Sequence, residues 1–164
     1  MDLWAALNKD DLLDIIGLSL GVSLSATVLA TLLGLPLGGV LSVYDFRGRR
    51  ALAILLNGLL GMPPVVVGLA LYLLLSRSGP LGWLGLLFTP SGMILAQATL
   101  ATPIIGALAH RAAQGPWQEY GDALRVDGAS RVRMIGMLLL IARSSVLTAV
   151  LAGFGRTSLR WALS

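Results

Sequence analysis

With 164 residues, 56% of them hydrophobic and only 12% charged, the chain has about half the ionisable content of an ordinary soluble domain. The absence of cysteine and a single histidine exclude disulfides, thiol catalysis and metal sites built on thiolates or a histidine pair. A net charge of +4 without a dense basic run or aromatic–basic interleaving reads as loop charge beside a lipid bilayer, and excludes nucleic acid as a partner.

The acidic start, with Asp2, Asp10, Asp11 and Asp14 against Lys9, has neither the basic opening nor the cleavage pattern of a signal peptide and reads as mature protein. Residues 15–44 hold no charge and exceed the ~20 residues that cross a bilayer, so they form the first span. Gly17, Gly21 and Ser25 recur at four-residue steps, with Gly34 and Gly38 beyond them. That spacing predicts close packing within the chain, with a dimer seam as the alternative.

Residues 51–76 form a second uncharged run, interrupted by Gly61-Met62-Pro63-Pro64-Val65. Proline removes a donor and breaks the helical ladder, so a new half-helix is expected from Pro64, its free N–H groups near the midplane where they attract anions. A simple packing kink is the alternative. The apolar piece 81–89, bounded by Pro80 and Pro90, is too short to span and is expected to be a re-entrant or surface helix. Residues 91–109 are the third span. The fourth lies within 134–163, either 134–154 with Arg143 near its middle or 144–163 with Arg156 and Arg160 inside.

These segments predict an all-α, polytopic transmembrane helical bundle of about four spans, a single domain over residues 1–164. The amino-terminal segment sums to −3 and the 45–50 loop to +2, while the 111–133 loop holds four arginines. By the positive-inside rule the amino terminus faces out and both basic loops face the cytoplasm. Within the second loop, a short helix from about Trp117 to Val126 is expected, then a turn at Gly128. Asn57, Gln97 and Thr102 are polar groups inside spans, where they face protein or water sooner than lipid.

Asp122-Ala123-Leu124, then Gly128-Ala129-Ser130, then Leu138-Leu139-Leu140, resembles the EAA loop of ABC importer permeases. Aspartate stands for the family's glutamate, Leu124 for its second alanine and Ile141 for its proline. The wider pattern, Met62-Pro63-Pro64-Val65-Val66-Val67-Gly68-Leu69, Ser78-Gly79-Pro80-Leu81-Gly82, Phe88-Thr89-Pro90 and Ala96-Gln97, is similar to the tungstate permeases and their molybdate relatives.

The resemblance implies a type I ABC importer permease in the cell (inner) membrane, moving an oxyanion, tungstate first and molybdate next. Its implied partners are a cytoplasmic ABC ATPase, an extracytoplasmic binding protein and a second permease copy. ATPase docking would fall to Asp122, Ala123, Leu124, Gly128, Ala129 and Ser130. The candidate translocation pathway is Asn57, Pro63, Pro64, Val65, Gln97, Thr102 and Arg156, with an interfacial anchor as the other role for Arg156. With Lys9 the only lysine and no phosphate-binding glycine loop, the chain needs no cofactor, and ATP and magnesium belong to the partner.

After Gly153-Phe154-Gly155-Arg156 the resemblance stops, and the closing residues read as an altered frame or a truncation. The corresponding alternative is an inactive permease or a non-transporting membrane scaffold. A remote alternative is an intramembrane protease built on Ser23 with His110, or on Asp45 with Asp122. His110 is more simply expected to be a polar interfacial residue beside Arg111.

Overall fold

A computed structural model describes residues 9–158, with side chains described for residues 13–155. Six helices follow in order: α1 (Lys9–Val43), α2 (Arg49–Leu60), α3 (Pro64–Leu75), α4 (Pro90–Val126), α5 (Arg131–Ile141) and α6 (Arg143–Ser158). No strand occurs among the described residues. In hydrocarbon a helix satisfies its own backbone groups, which is why uninterrupted apolar sequence takes this form.

Two helices, Leu13–Val43 within α1 and the whole of α4, are long and apolar enough to cross a membrane. The pairs α2–α3 and α5–α6 are bent by 107° and 83°, and each counts as a further span if taken as one crossing. The register between α1 and α4 decides the first case. Ala30 packs with Ala101, Gly34 faces Ile105, Gly38 faces Ala109, and Ser42 meets His110. Residue numbers rise together, so α1 and α4 run parallel. The intervening α2–α3 must therefore carry the chain back to its starting side.

The core is thin and made of small residues. Ala26, Ala30, Ala101, Ala109 and Ala113 are fully buried. Around them the outer faces carry Ile15, Leu18, Leu32, Ile54, Val65, Leu69 and Leu73, all largely exposed. Such an apolar exterior suits lipid, where polar groups and not methyl groups carry the penalty.

Four sequence expectations change. First, Gly17 and Gly21 have nothing within 4 Å of an added Cβ, so that small-residue face is not packed within the described chain, whereas Gly34 and Gly38 are at the α1–α4 contact. Second, the third span and the loop helix are one helix, α4, of 37 residues. Pro116 does not break it. Nor does Pro103, which follows the β-branched Thr102 in the same helix. Third, residues 81–89 contain no α-helix but a single 3-10 turn, Gly82–Leu84, because Gly82 and Gly85 interrupt the apolar run and Gly85 takes φ 61°. Fourth, the last segment is not straight: it breaks at Ala142, and Arg143 sits at that bend, where α6 starts.

Candidate functional site

At 1.5 Å per residue, α4 is about 55 Å long against a hydrocarbon layer of about 30 Å. Its last turns therefore project beyond the bilayer and carry Asp122, Ala123 and Leu124. Gly128 ends the helix at φ 66°, a left-handed conformation open to glycine. The Gly128 N–H donates to the Arg125 carbonyl at 3.1 Å and the Ala129 N–H to the Leu124 carbonyl at 3.1 Å. Those two bonds are a Schellman termination, and the accompanying apolar contact is present too, since Leu124 and Ala129 pack on the same cluster of Val43, Ala113, Met134 and Leu138. Ser130 then caps α5, its hydroxyl accepting from the Arg133 N–H.

The six loop residues thus divide into two sets. Asp122, Ala123, Gly128 and Ser130 are exposed, while Leu124 and Ala129 turn inward and hold the turn to the bundle. Asp122 pairs with Arg125 at 3.2 Å. The Arg125 guanidinium lies over the Trp117 ring, 4.9 Å from its centroid, and Arg131 lies 4.7 Å from that of Tyr44.

Toward the membrane lies a polar seam that local sequence does not announce. His110 is 7% exposed and not at the surface, contrary to expectation. Its Nδ1 is 3.0 Å from the Ser42 hydroxyl, and its Nε2 is 3.1 Å from the Gln114 amide nitrogen. The Ser42 hydroxyl also lies 2.9 Å from the Gly38 carbonyl oxygen and 3.3 Å from that of His110, so its one proton has three acceptors within reach and the ring tautomer sets which it takes. The residues are 68 apart in sequence, and only a helix pairing could have revealed them. Next to the seam a cleft of about 710 Å³ is lined by Asp45, Arg47, Arg49 and Arg50 with His110 and Gln114. Asp45 pairs with Arg49 across its mouth.

The candidate pathway residues do not form one bonded group. α2 ends at Leu60 and α3 begins at Pro64 with Pro63 as its cap residue, as the proline pair predicts. Val65 is 79% exposed beside them. Asn57 donates to the Ala53 carbonyl at 2.7 Å and accepts from Arg111, which ties α2 to α4. Thr102 donates to the Ala98 carbonyl of its own helix. Gln97 is buried and its Oε1 has no hydrogen-bond partner. The Arg156 side chain lies outside the described residues.

Neither protease pair is assembled. Ser23 is buried and its carbonyl accepts from Thr27, while His110 meets Ser42, which is fully buried and closed to substrate. Asp45 and Asp122 pair separately with Arg49 and Arg125, and both are exposed.

No family model matches the sequence. Individual relatives do. The chain is 39% identical over 92% of its length to a "Probable anion ABC transporter permease protein" of Haloferax volcanii, and covers 65% of that protein. It is 34% identical over 87% of its length to the "Tungstate uptake system permease protein TupB" of Peptoclostridium acidaminophilum, covering 62% of it. A "Probable molybdenum ABC transporter permease protein", also of Haloferax volcanii, is 34% identical over 80% of the chain, which covers 50% of it. The chain thus spans somewhat under two thirds of the length of the first two of these relatives and half that of the third. Identity sustained over nearly the whole chain, on a helical bundle with a projecting loop, leads to one assignment: the chain belongs to the ABC transporter permeases of the anion, tungstate and molybdate type.

Proposed function

We propose that this chain is the membrane-spanning subunit through which an ABC importer passes an oxyanion into the cell, tungstate in first place and molybdate next. The observation that carries the proposal is the identity, over 87% of the chain, to a permease named for tungstate uptake. A cytoplasmic ATPase drives the cycle, an extracytoplasmic binding protein delivers the anion, and a second copy of the permease completes the pathway. The amino terminus faces out, as the basic residues of the 45–50 and 111–133 loops favour.

The ATPase docks on the exposed side of the turn, against Asp122, Ala123, Gly128 and Ser130, while Leu124 and Ala129 fix its shape from within. Along the pathway, the α3 start at Pro64 has no side-chain cap and offers backbone donors to an anion. Val65 and Pro63 shape that break, the buried amide of Gln97 supplies a further polar group, and Asn57, Thr102 and Arg156 lie along the same route.

Uptake of labelled tungstate by cells carrying the chain with its partner subunits tests the substrate. Uptake is expected to fall to background when the chain is deleted and to be competed by excess tungstate and molybdate. Competition by sulfate as strong as by tungstate would refute the assignment. Docking is tested by Gly128→Trp, which should abolish co-purification of the ATPase, and retained co-purification would return the scaffold reading to the front.

A further inference from the structure

The docking turn is held at both flanks by an arginine lying on an aromatic ring, and nothing in the proposed cycle yet uses that arrangement. On the α4 side, Trp117, Gly121 and Arg125 follow at four-residue steps and so share one helix face. A Cβ added to Gly121 would stand 3.1 Å from Trp117 Cε3 and 3.2 Å from Cδ2, so the indole lies flat across the glycine. Arg125 covers the ring one turn further on, 4.9 Å from the centroid. On the α5 side, Arg131 covers Tyr44, the residue directly after α1, at 4.7 Å. A cleft of about 340 Å³ is lined by Trp117, Arg125 and Arg131 together with Val43, Asp45 and Met134.

We infer that Trp117, Gly121, Arg125, Arg131 and Tyr44 form a brace that makes the 122–130 turn move as one body with α1 and α4. The inference rests on the docking role proposed above. These are positioning residues, acting through the turn and not by touching the ATPase's nucleotide or the anion. The Asp122–Arg125 ion pair cannot do this work, since its side chains are 96% and 54% exposed and water screens them. A guanidinium on a ring face is more directional and needs no carboxylate. Without the stacks the turn itself is tied to the bundle through the Leu124 and Ala129 contacts, with α5 anchored behind it by Met134 and Leu138, and a pull on the turn is absorbed as local opening instead of helix movement.

Two measurements test the brace, one of them independent of any partner. Hydrogen exchange on the chain in detergent, comparing wild type with Gly121→Ala and Tyr44→Ala, should show amides 124–129 exchanging about tenfold faster in both variants. Gly121→Ala removes no aromatic ring and favours the helix, so loss of folding does not explain such a result. Unchanged exchange in both variants overturns the brace whether or not the docking role is right. In vesicles holding the chain with its ATPase and binding protein, both variants should retain the ATPase but deliver several-fold less tungstate per ATP hydrolysed, with Tyr44→Phe near normal. Loss of ATPase binding in step with uptake would make these residues part of the contact surface and overturn a positioning role. Failure of the docking reading itself is recognised separately, by Gly128→Trp leaving co-purification intact.

Discussion

A methyl group at Gly38 would stand 2.6 Å from the Gly106 carbonyl oxygen, 2.7 Å from Ala109 Cβ and 2.8 Å from the His110 amide nitrogen. Two of these three are backbone atoms, which cannot swing aside as a side chain would. Gly38→Ala must therefore push α1 from α4 at the level of the Ser42–His110 bond, at a cost on the order of 1–3 kcal/mol for overpacking. Gly17→Ala is the control, because nothing lies within 4 Å of its new methyl. There alanine's lower backbone entropy cost should leave stability unchanged or raise it by roughly 0.5–1 kcal/mol. Thermal unfolding in detergent should show a lowered midpoint for the first variant only. Equal midpoints would mean that the α1–α4 contact is not as close as the packing implies.

At the scale of elements, the proline pair is the clearest link from sequence to shape. Pro63 and Pro64 leave α2 and α3 meeting at a 107° bend, with Pro64 at the first helical position where its missing N–H costs nothing. Replacing both by alanine should let the two helices run on as one. Spin labels at residues 54 and 73 would then approach the ~28 Å of a continuous helix, against a markedly shorter distance in the bent form. An unchanged distance would assign the bend to tertiary contacts instead of to proline. This break was legible in the sequence because proline acts on its own residue and its immediate neighbours, and the Gly128 turn was legible for the same reason. Other features depend on partners far along the chain. The four-residue spacing of Gly17, Gly21 and Ser25 marks a small face but not whether a helix meets it, and the partner in fact meets Gly34 and Gly38. The burial of His110 goes with its partner Ser42, and α4 continues through both Pro103 and Pro116, where the local proline signal pointed to a break at Pro116.

For the whole molecule, the parallel course of α1 and α4 constrains topology more than hydropathy does. If both run from the outside inward, the 45–50 loop and the 127–130 turn share the cytoplasmic side and residues 76–89 lie outside. The chain contains no cysteine, so single cysteines can be placed without a background. Arg47→Cys and Asp127→Cys should react with a membrane-impermeant maleimide only after permeabilisation of cells, and Ser78→Cys should react before it. The parallel pairing alone requires positions 47 and 127 to behave alike, whichever way the bundle is inserted, so a split between them would refute the packing itself. The reverse pattern, with 47 and 127 labelled from outside, would keep the bundle but invert it. The docking turn would then face away from any cytoplasmic ATPase, and the arginines of both loops would lie on the side that the positive-inside rule disfavours.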